Sequence, residues 1–448
     1  MKSKTILIKD GIIVNEGVVV EGSILLSAGI IEKIFISGEK LPKVDRVVDV
    51  TGKLVFPGVI DDQVHFREPG NEEKGTIASE SAAAVLGGVT SYMEMPNTKP
   101  ATISLKEVKG KEEIASKNSY ANYSFFLGAT NDNLKELKKA DPKQICGIKL
   151  FMGSSTGNML VDNPQALEAI FKECKLPIAA HCESEEIIRS NLIAVKERYR
   201  GEDIPFREHP NIRSREACIA STQKAIALAT KYNSNLHILH VSTKEEVELI
   251  REAKRDNPAI SGEICLHYLL FDSSMYDRMG AQIKCNPAIK DRSDRDALIA
   301  ALKEGAIDIV ATDHAPHTLE EKRGSYFNAP SGLPMVQHGL QIMLELHKEG
   351  FFTLDEVVYL MSHAPANRFK IDRRGFIREG YWGDIVVVDT TRADYSSTLF
   401  PAYKCGWSPL AGKEFSNSII HTFVNGVEVV ANGKLSGVRS AQKLLFNR

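Results

Sequence analysis

The sequence predicts a (β/α)8 TIM-like barrel over residues 56–374 and a small β-sandwich domain built from both termini, residues 1–55 plus 375–448. Three observations predict it. Between Phe56 and Arg374, short β-branched or apolar runs alternate with helical segments, as in repeated βα units with a parallel sheet. Eight such runs can be counted, the number that closes a barrel. The two ends share a different texture, with short alternating strands punctuated by glycine.

In chain order, TILIKDGIIV, GVVVEGSILLSAG and IIEKIFISG alternate apolar and polar positions and suit a small antiparallel sheet. The eight barrel runs are LVFPGVIDDQVHF, TSYMEMPN, NYSFFLGA, ICGIKLFM, LPIAAHCE, LHILHVS, ISGEICLHY and IDIVATDHAP, with helical stretches such as LKEVKGKEEIASK and TKEEVELIREAKR between them. GDIVVVD (383–389) and HTFVNGVEVVANGK (421–434) return to strand and turn, with Asn425-Gly426 as a hairpin signal. An open doubly wound sheet is the rival. Against it, polar residues gather at the C-terminal ends of the runs: His65, Asn97, Lys149, His181, His240, His267 and Asp313. That end carries the active site in such barrels.

The 448 residues are 43% hydrophobic and 25% charged with a formal net charge of -2, and no block of like charge stands out. Nucleic acid and an anionic membrane surface are therefore not the expected partners; a small molecule is. Lys9, Asp10, Asn15 and Glu16 interrupt the apolar start, so no secretory h-region is read and a cytoplasmic location is expected. Seven scattered cysteines without a CxxC pair argue for buried free thiols rather than a disulfide framework or thiolate zinc site.

Gln63 and His65 are two apart on one strand and so point the same way, toward the barrel mouth. A lone histidine at a strand end is more often a structural residue than a ligand. Here His181 ends IAAHCE, His240 ends HILHVS and Asp313 ends IVATDHAP, so imidazoles and a carboxylate converge from separate strands. Such donors suit one or two Zn²⁺ ions, which lower the pKa of bound water for hydrolysis; Mn²⁺, Co²⁺ or Fe²⁺ fit similar ligands. Lys149, flanked by Ile148, Leu150 and Phe151, would bring a cation into a positive site unless burial neutralises it. A neutral lysine can add CO₂, and the resulting N6-carboxylate can bridge two metals.

These runs, above all TDHAPHTLEEK at 312–322 with Pro330-Ser331-Gly332-Leu333-Pro334 and the pair His65 and Arg67, resemble the dihydroorotases of the cyclic amidohydrolase superfamily. The resemblance covers essentially the whole chain. It implies reversible hydrolysis of L-dihydroorotate to N-carbamoyl-L-aspartate, a step of pyrimidine synthesis, by metal-bound hydroxide with Asp313 as proton carrier. It also implies His65, Lys149, His181, His240 and Asp313 as metal ligands and Arg67, Asn97 and His317 as the carboxylate site. Asn286 and the loop from Gly332 to Pro334 are left to bond the ring, and His267 and His314 to supporting hydrogen bonds. A homo-oligomer, with a dimer as the candidate state, is expected. Allantoinases and hydantoinases (dihydropyrimidinases) share the fold and ligands but as families lack an arginine at the position of Arg67, whose fork would bind a ring carboxylate.

Two departures stand out. Gln63 occupies the place of the first histidine of a His-x-His pair, and an amide oxygen binds Zn²⁺ less well than imidazole. Gln337 stands where glutamate is common. The alternatives are another cyclic amidohydrolase, an allantoinase or dihydropyrimidinase (hydantoinase), or, because of Gln63, a silent scaffold that partners another pyrimidine-pathway enzyme. The stretch GSSTGNMLVD, 153–162, is expected to lie over the substrate.

Overall fold

The computed structural model describes residues 5–153 and 159–448. Strands follow in the order β1 (Ile6–Asn15), β2 (Val18–Ser27), β3 (Ile30–Ile36), β4 (Arg46–Asp49), β5 (Leu54–Pro57), β6 (Val59–Val64), β7 (Val89–Glu94), β8 (Asn122–Phe125), β9 (Leu127–Gly128), β10 (Ile148–Phe151) and β11 (Ile178–His181). There follow β12 (Leu236–Ile238), β13 (Ser261–Cys265), β14 (Ile309–Ala311), β15 (Ile385–Asp389), β16 (Ser418–Val424), β17 (Val427–Ala431) and β18 (Lys434–Leu435).

The barrel wall consists of two parallel arcs, β6-β7-β8 and β9 through β14. Strands β8 and β9 are one wall member interrupted at Phe126, whose N–H still donates to Glu94. The other seam closes where Val64 bridges His314 and the His65 N–H donates to the His314 carbonyl at 2.7 Å. All eight sequence runs supply wall strands. The first divides at Gly58, where an added Cβ would lie 2.1 Å from Thr90 Oγ1, so Leu54–Pro57 joins the terminal sheet and only Val59–Val64 enters the wall. Both faces are covered, so these strands are buried at every residue, polar ones included.

The terminal sheet runs β18-β17-β16-β15-β5-β1-β2-β3, with β4 also on β1. The ends of the chain meet where β5 lies antiparallel to β15, Val55 opposite Val387. The sheet is mixed rather than purely antiparallel: β4 and β5 share one edge of β1, parallel to it along its first and second halves. Ile8, Ile13, Ile24, Leu26, Val55, Ile385, Val387 and Phe423 join these strands in one buried cluster. Asn425 (φ 50°) and Gly426 (φ 71°) make the tight turn that the sequence signalled.

Helices cover the barrel. The helix Lys244–Asp256 shows why they start where they do: Thr243 accepts from the Glu246 N–H, and the Glu246 carboxylate returns to the Thr243 N–H, an arrangement worth ~1 kcal/mol. The short helix Ala364–Phe369 closes the floor, and Phe369 is fully buried against Phe126 and His237, at 6.1 and 5.5 Å between ring centroids. Burial of such a ring contributes roughly 1.5–3 kcal/mol. All seven cysteines are unpaired and five are buried. Among the described residues no helix is long and apolar enough to cross a membrane. Of the stretch 153–162, residues 154–158 lie outside the described residues.

Candidate metal centre

A cavity of about 210 Å³ opens at the C-terminal ends of the wall strands, lined by Gln63, His65, Arg67, Asn97, Lys149, His181, His240, Asn286, Asp313, His317 and Gly332, together with Phe151, Ala315, Pro330 and Ser331. Every residue expected at the site is there except Pro334. Leu333 bridges His314 and its carbonyl accepts from Ala315, so the chain turns into the wall after Gly332 and Pro334 is buried away from the cavity.

The nitrogen and oxygen donors come as two pairs. On one side, His65 Nδ1–H donates to Asn97 Oδ1 at 2.7 Å, which leaves the Nε2 lone pair 3.0 Å from Asp313 Oδ1. Burial holds His65 below its ordinary pKa, so its ring is neutral at pH 7. A lone pair facing a carboxylate at that distance calls for a cation between them. On the other side, His181 Nδ1 and His240 Nε2 stand 3.0 Å apart, and His240 Nδ1 is buried without a hydrogen-bond partner among the described residues. Glu183 lies 2.9 Å from His181 Nε2 and is itself held by Arg213. Burial would raise the Glu183 pKa, but Arg213 and His181 more than offset it, keeping the carboxylate ionised.

Lys149 stands in the same cavity, 1% exposed, with Nζ 4.6 Å from the Phe151 ring centroid. Burial outweighs the charges of Asp313 and Glu263 and brings its pKa down to about 8, so a useful fraction is neutral and able to take up CO₂. The donor set thus fits a metal centre. Gln63 directs its amide nitrogen, not its oxygen, at Asp313 Oδ1 (3.2 Å), while its oxygen accepts from Cys265 Sγ at 3.7 Å.

Beside the donor pairs stands a buried guanidinium. Arg67 is 8% exposed, and its Nε–H donates to the Pro316 carbonyl. Burial lowers its pKa only to about 10, so it remains a cation. His317 Nδ1 lies 3.2 Å from Lys74 Nζ, and its Nε2 lies 3.0 Å from both the Ser331 carbonyl and Arg67 Nη2, so the ring links the guanidinium to the loop beside the cavity. Burial first, then Arg67, Lys74 and Lys322, drive the His317 pKa well down. Three of the cavity-lining residues hold left-handed backbone without being glycine, Arg67 (φ 72°), His240 (φ 41°) and Asp313 (φ 44°). Each such residue stores about 1–3 kcal/mol of strain, held in place by the surrounding fold.

A family model described as the amidohydrolase family matches residues 54–429. The chain belongs to the amidohydrolase family. Among curated relatives of this amidohydrolase, a dihydroorotase of Methanosphaera stadtmanae is 31% identical over 413 residues, covering 90% of this chain and 92% of the relative. An allantoinase of Solibacter usitatus is also 31% identical, over 98% of this chain and 96% of its own. A solved L-hydantoinase (dihydropyrimidinase) from Arthrobacter aurescens superposes with a TM-score of 0.92 at 24% identity over 99% of this chain and 100% of that one, which shows the fold. The protein is a cyclic amidohydrolase acting on a small molecule, in a typically metal-dependent family.

Two supports of this amidohydrolase site escaped the sequence reading. Lys74 pairs with Glu321 at 2.6 Å and reaches His317 across 243 residues of chain. Trp407, from the segment between β15 and β16, donates its indole N–H to the His317 carbonyl at 2.7 Å. A surface lysine and a lone tryptophan carry no local signal of such contacts. His314 makes the supporting hydrogen bonds expected of it, with Nε2 2.8 Å from Glu80 and Nδ1 accepting from Met335, whereas His267, expected to do the same, has no partner at either ring nitrogen among the described residues. Gln337 accepts from the Ala402 N–H and thereby ties the same C-terminal segment down.

Proposed function

We propose that the protein is a dihydroorotase, interconverting L-dihydroorotate and N-carbamoyl-L-aspartate. The observation that carries this reading is Arg67: its guanidinium, with Nη2 against His317 Nε2, shares one cavity with both donor pairs. A ring carboxylate would find a bidentate cationic partner there, whereas hydantoin and allantoin rings carry no such group.

His181 and His240 would hold one Zn²⁺ ion, His65 and Asp313 a second, and N6-carboxylated Lys149 both. Bound there, the ions supply a water acidic enough to react near neutral pH and polarise the amide carbonyl. The remaining work falls to the chain. Arg67 and His317 anchor the carboxylate and so orient the ring. Asn286, whose Oδ1 is buried in the cavity without a hydrogen-bond partner among the described residues, accepts a ring N–H. Asp313 takes a proton from the attacking water and delivers it to the leaving nitrogen.

The deciding experiment is turnover of dihydroorotate, hydantoin and allantoin by the same metal-loaded preparation. Dihydroorotate is expected to be the preferred substrate by at least ~10²-fold in kcat/KM, the scale set by a buried charge left without its partner. Preference for either uncharged ring would overturn the assignment. Gln63, which turns its nitrogen toward Asp313, favours a second reading, a silent scaffold; a preparation that holds metal yet hydrolyses none of the three would establish it.

A further inference from the structure

Between the mouth ligands and the floor lies a second cluster that the proposed reaction does not use. Asp62, His237 and Glu263, from β6, β12 and β13, are each 0% exposed, and their ligating atoms all lie within 4.8 Å of one another. His237 Nε2 is 3.1 Å from Glu263 Oε2 and 3.3 Å from Asp62 Oδ2. Those separations match the ~3.3 Å edge of a tetrahedron whose metal–ligand bonds are ~2.0–2.1 Å.

Tautomer chemistry sharpens the point. In the tautomer whose Nδ1–H donates to Ser261 Oγ (2.8 Å), the Nε2 lone pair is aimed at two carboxylates. Asp62 has no hydrogen bond to either oxygen among the described residues. A nearby guanidinium, Arg368, leaves Nε and Nη2 without a hydrogen-bond partner among the described residues rather than donating to it. Two ionised carboxylates so arranged are strongly destabilising unless a cation or a proton is shared between them.

We propose that Asp62, His237 and Glu263 form a separate, structural site for a divalent cation of the Zn²⁺ class, seated inside the barrel and distinct from the centre at its mouth. A mixed imidazole and carboxylate set selects Zn²⁺ over Mg²⁺ or Ca²⁺. The inference stands whether or not the dihydroorotase reading does.

Full-length protein crystallised with zinc, with diffraction recorded at the zinc absorption edge, tests it. The expected result is an anomalous peak enclosed by the three side chains, in addition to any at the mouth. In solution, Asp62→Asn is expected to lower the zinc content by one equivalent per chain. A map without a peak there would overturn the proposal and leave a shared proton as the cation. Should Asp62→Asn fail to fold, the map on the unaltered chain still decides.

Discussion

At the scale of single residues, position and protonation explain more than identity does. Arg67→Ala is expected to raise KM for dihydroorotate and lower kcat/KM by ~10- to 100-fold, or about 1.5–3 kcal/mol, while bound metal stays constant. Steady-state kinetics with metal analysis checks both halves, and unaltered kinetics would remove Arg67 from substrate binding. Lys149→Ala should lose metal and activity together, with partial recovery in millimolar short-chain carboxylate; full activity without rescue would exclude the carboxylated lysine. Gln63→His adds an imidazole beside His65 and Asp313, so metal should leave more slowly to a chelator, and unchanged loss would place Gln63 outside the coordination sphere. His65, Lys149, His181, His240 and Asp313 were all legible because each ends an apolar run. The direction of the Gln63 amide was not, since it depends on Asp313 and Cys265, 250 and 202 residues away.

At the scale of elements, the barrel floor and the terminal sheet make separate predictions. Phe369→Ala would empty a fully buried site shared with Phe126 and His237 and is expected to cost about 3–5 kcal/mol in denaturant unfolding; a cost under ~1 kcal/mol would mean the floor helix is not part of the cooperative core. On β17, Glu428 takes the His421 Nδ1–H at 2.7 Å and pairs with Arg46. Burial pulls its pKa up, but His421 and Arg46 together pull further down, and the net shift is downward. A carboxylate depressed in the fold stabilises it above the ordinary glutamate range and ceases to as pH falls through the folded value. The stability gap between the unaltered chain and Glu428→Gln should thus be full near neutral pH and shrink below about pH 4. A gap independent of pH would show that the pair contributes nothing electrostatic. Alternation and the Asn425-Gly426 turn made these strands readable, whereas the parallel pairing of β4 and β5 with β1 was not, because both chain directions satisfy one alternating pattern.

Over the whole molecule, the C-terminal segment is wired to the reaction chamber. Trp407→Phe keeps the ring but deletes the bond to the His317 carbonyl, and is expected to raise KM for dihydroorotate several-fold at near-constant kcat, for a loss of ~1 kcal/mol. A fall in kcat alone would point to the metal centre instead. The barrel was legible because eight runs with polar tips leave few other closures; the contacts of Lys74 and Trp407 were not, since they exist only once distant stretches are brought together. The left-handed backbone at Arg67, His240 and Asp313 has a consequence for anyone improving this protein. Glycine would relax each of those positions, so selection for heat resistance alone would drift toward them and collect robust proteins that no longer turn over substrate.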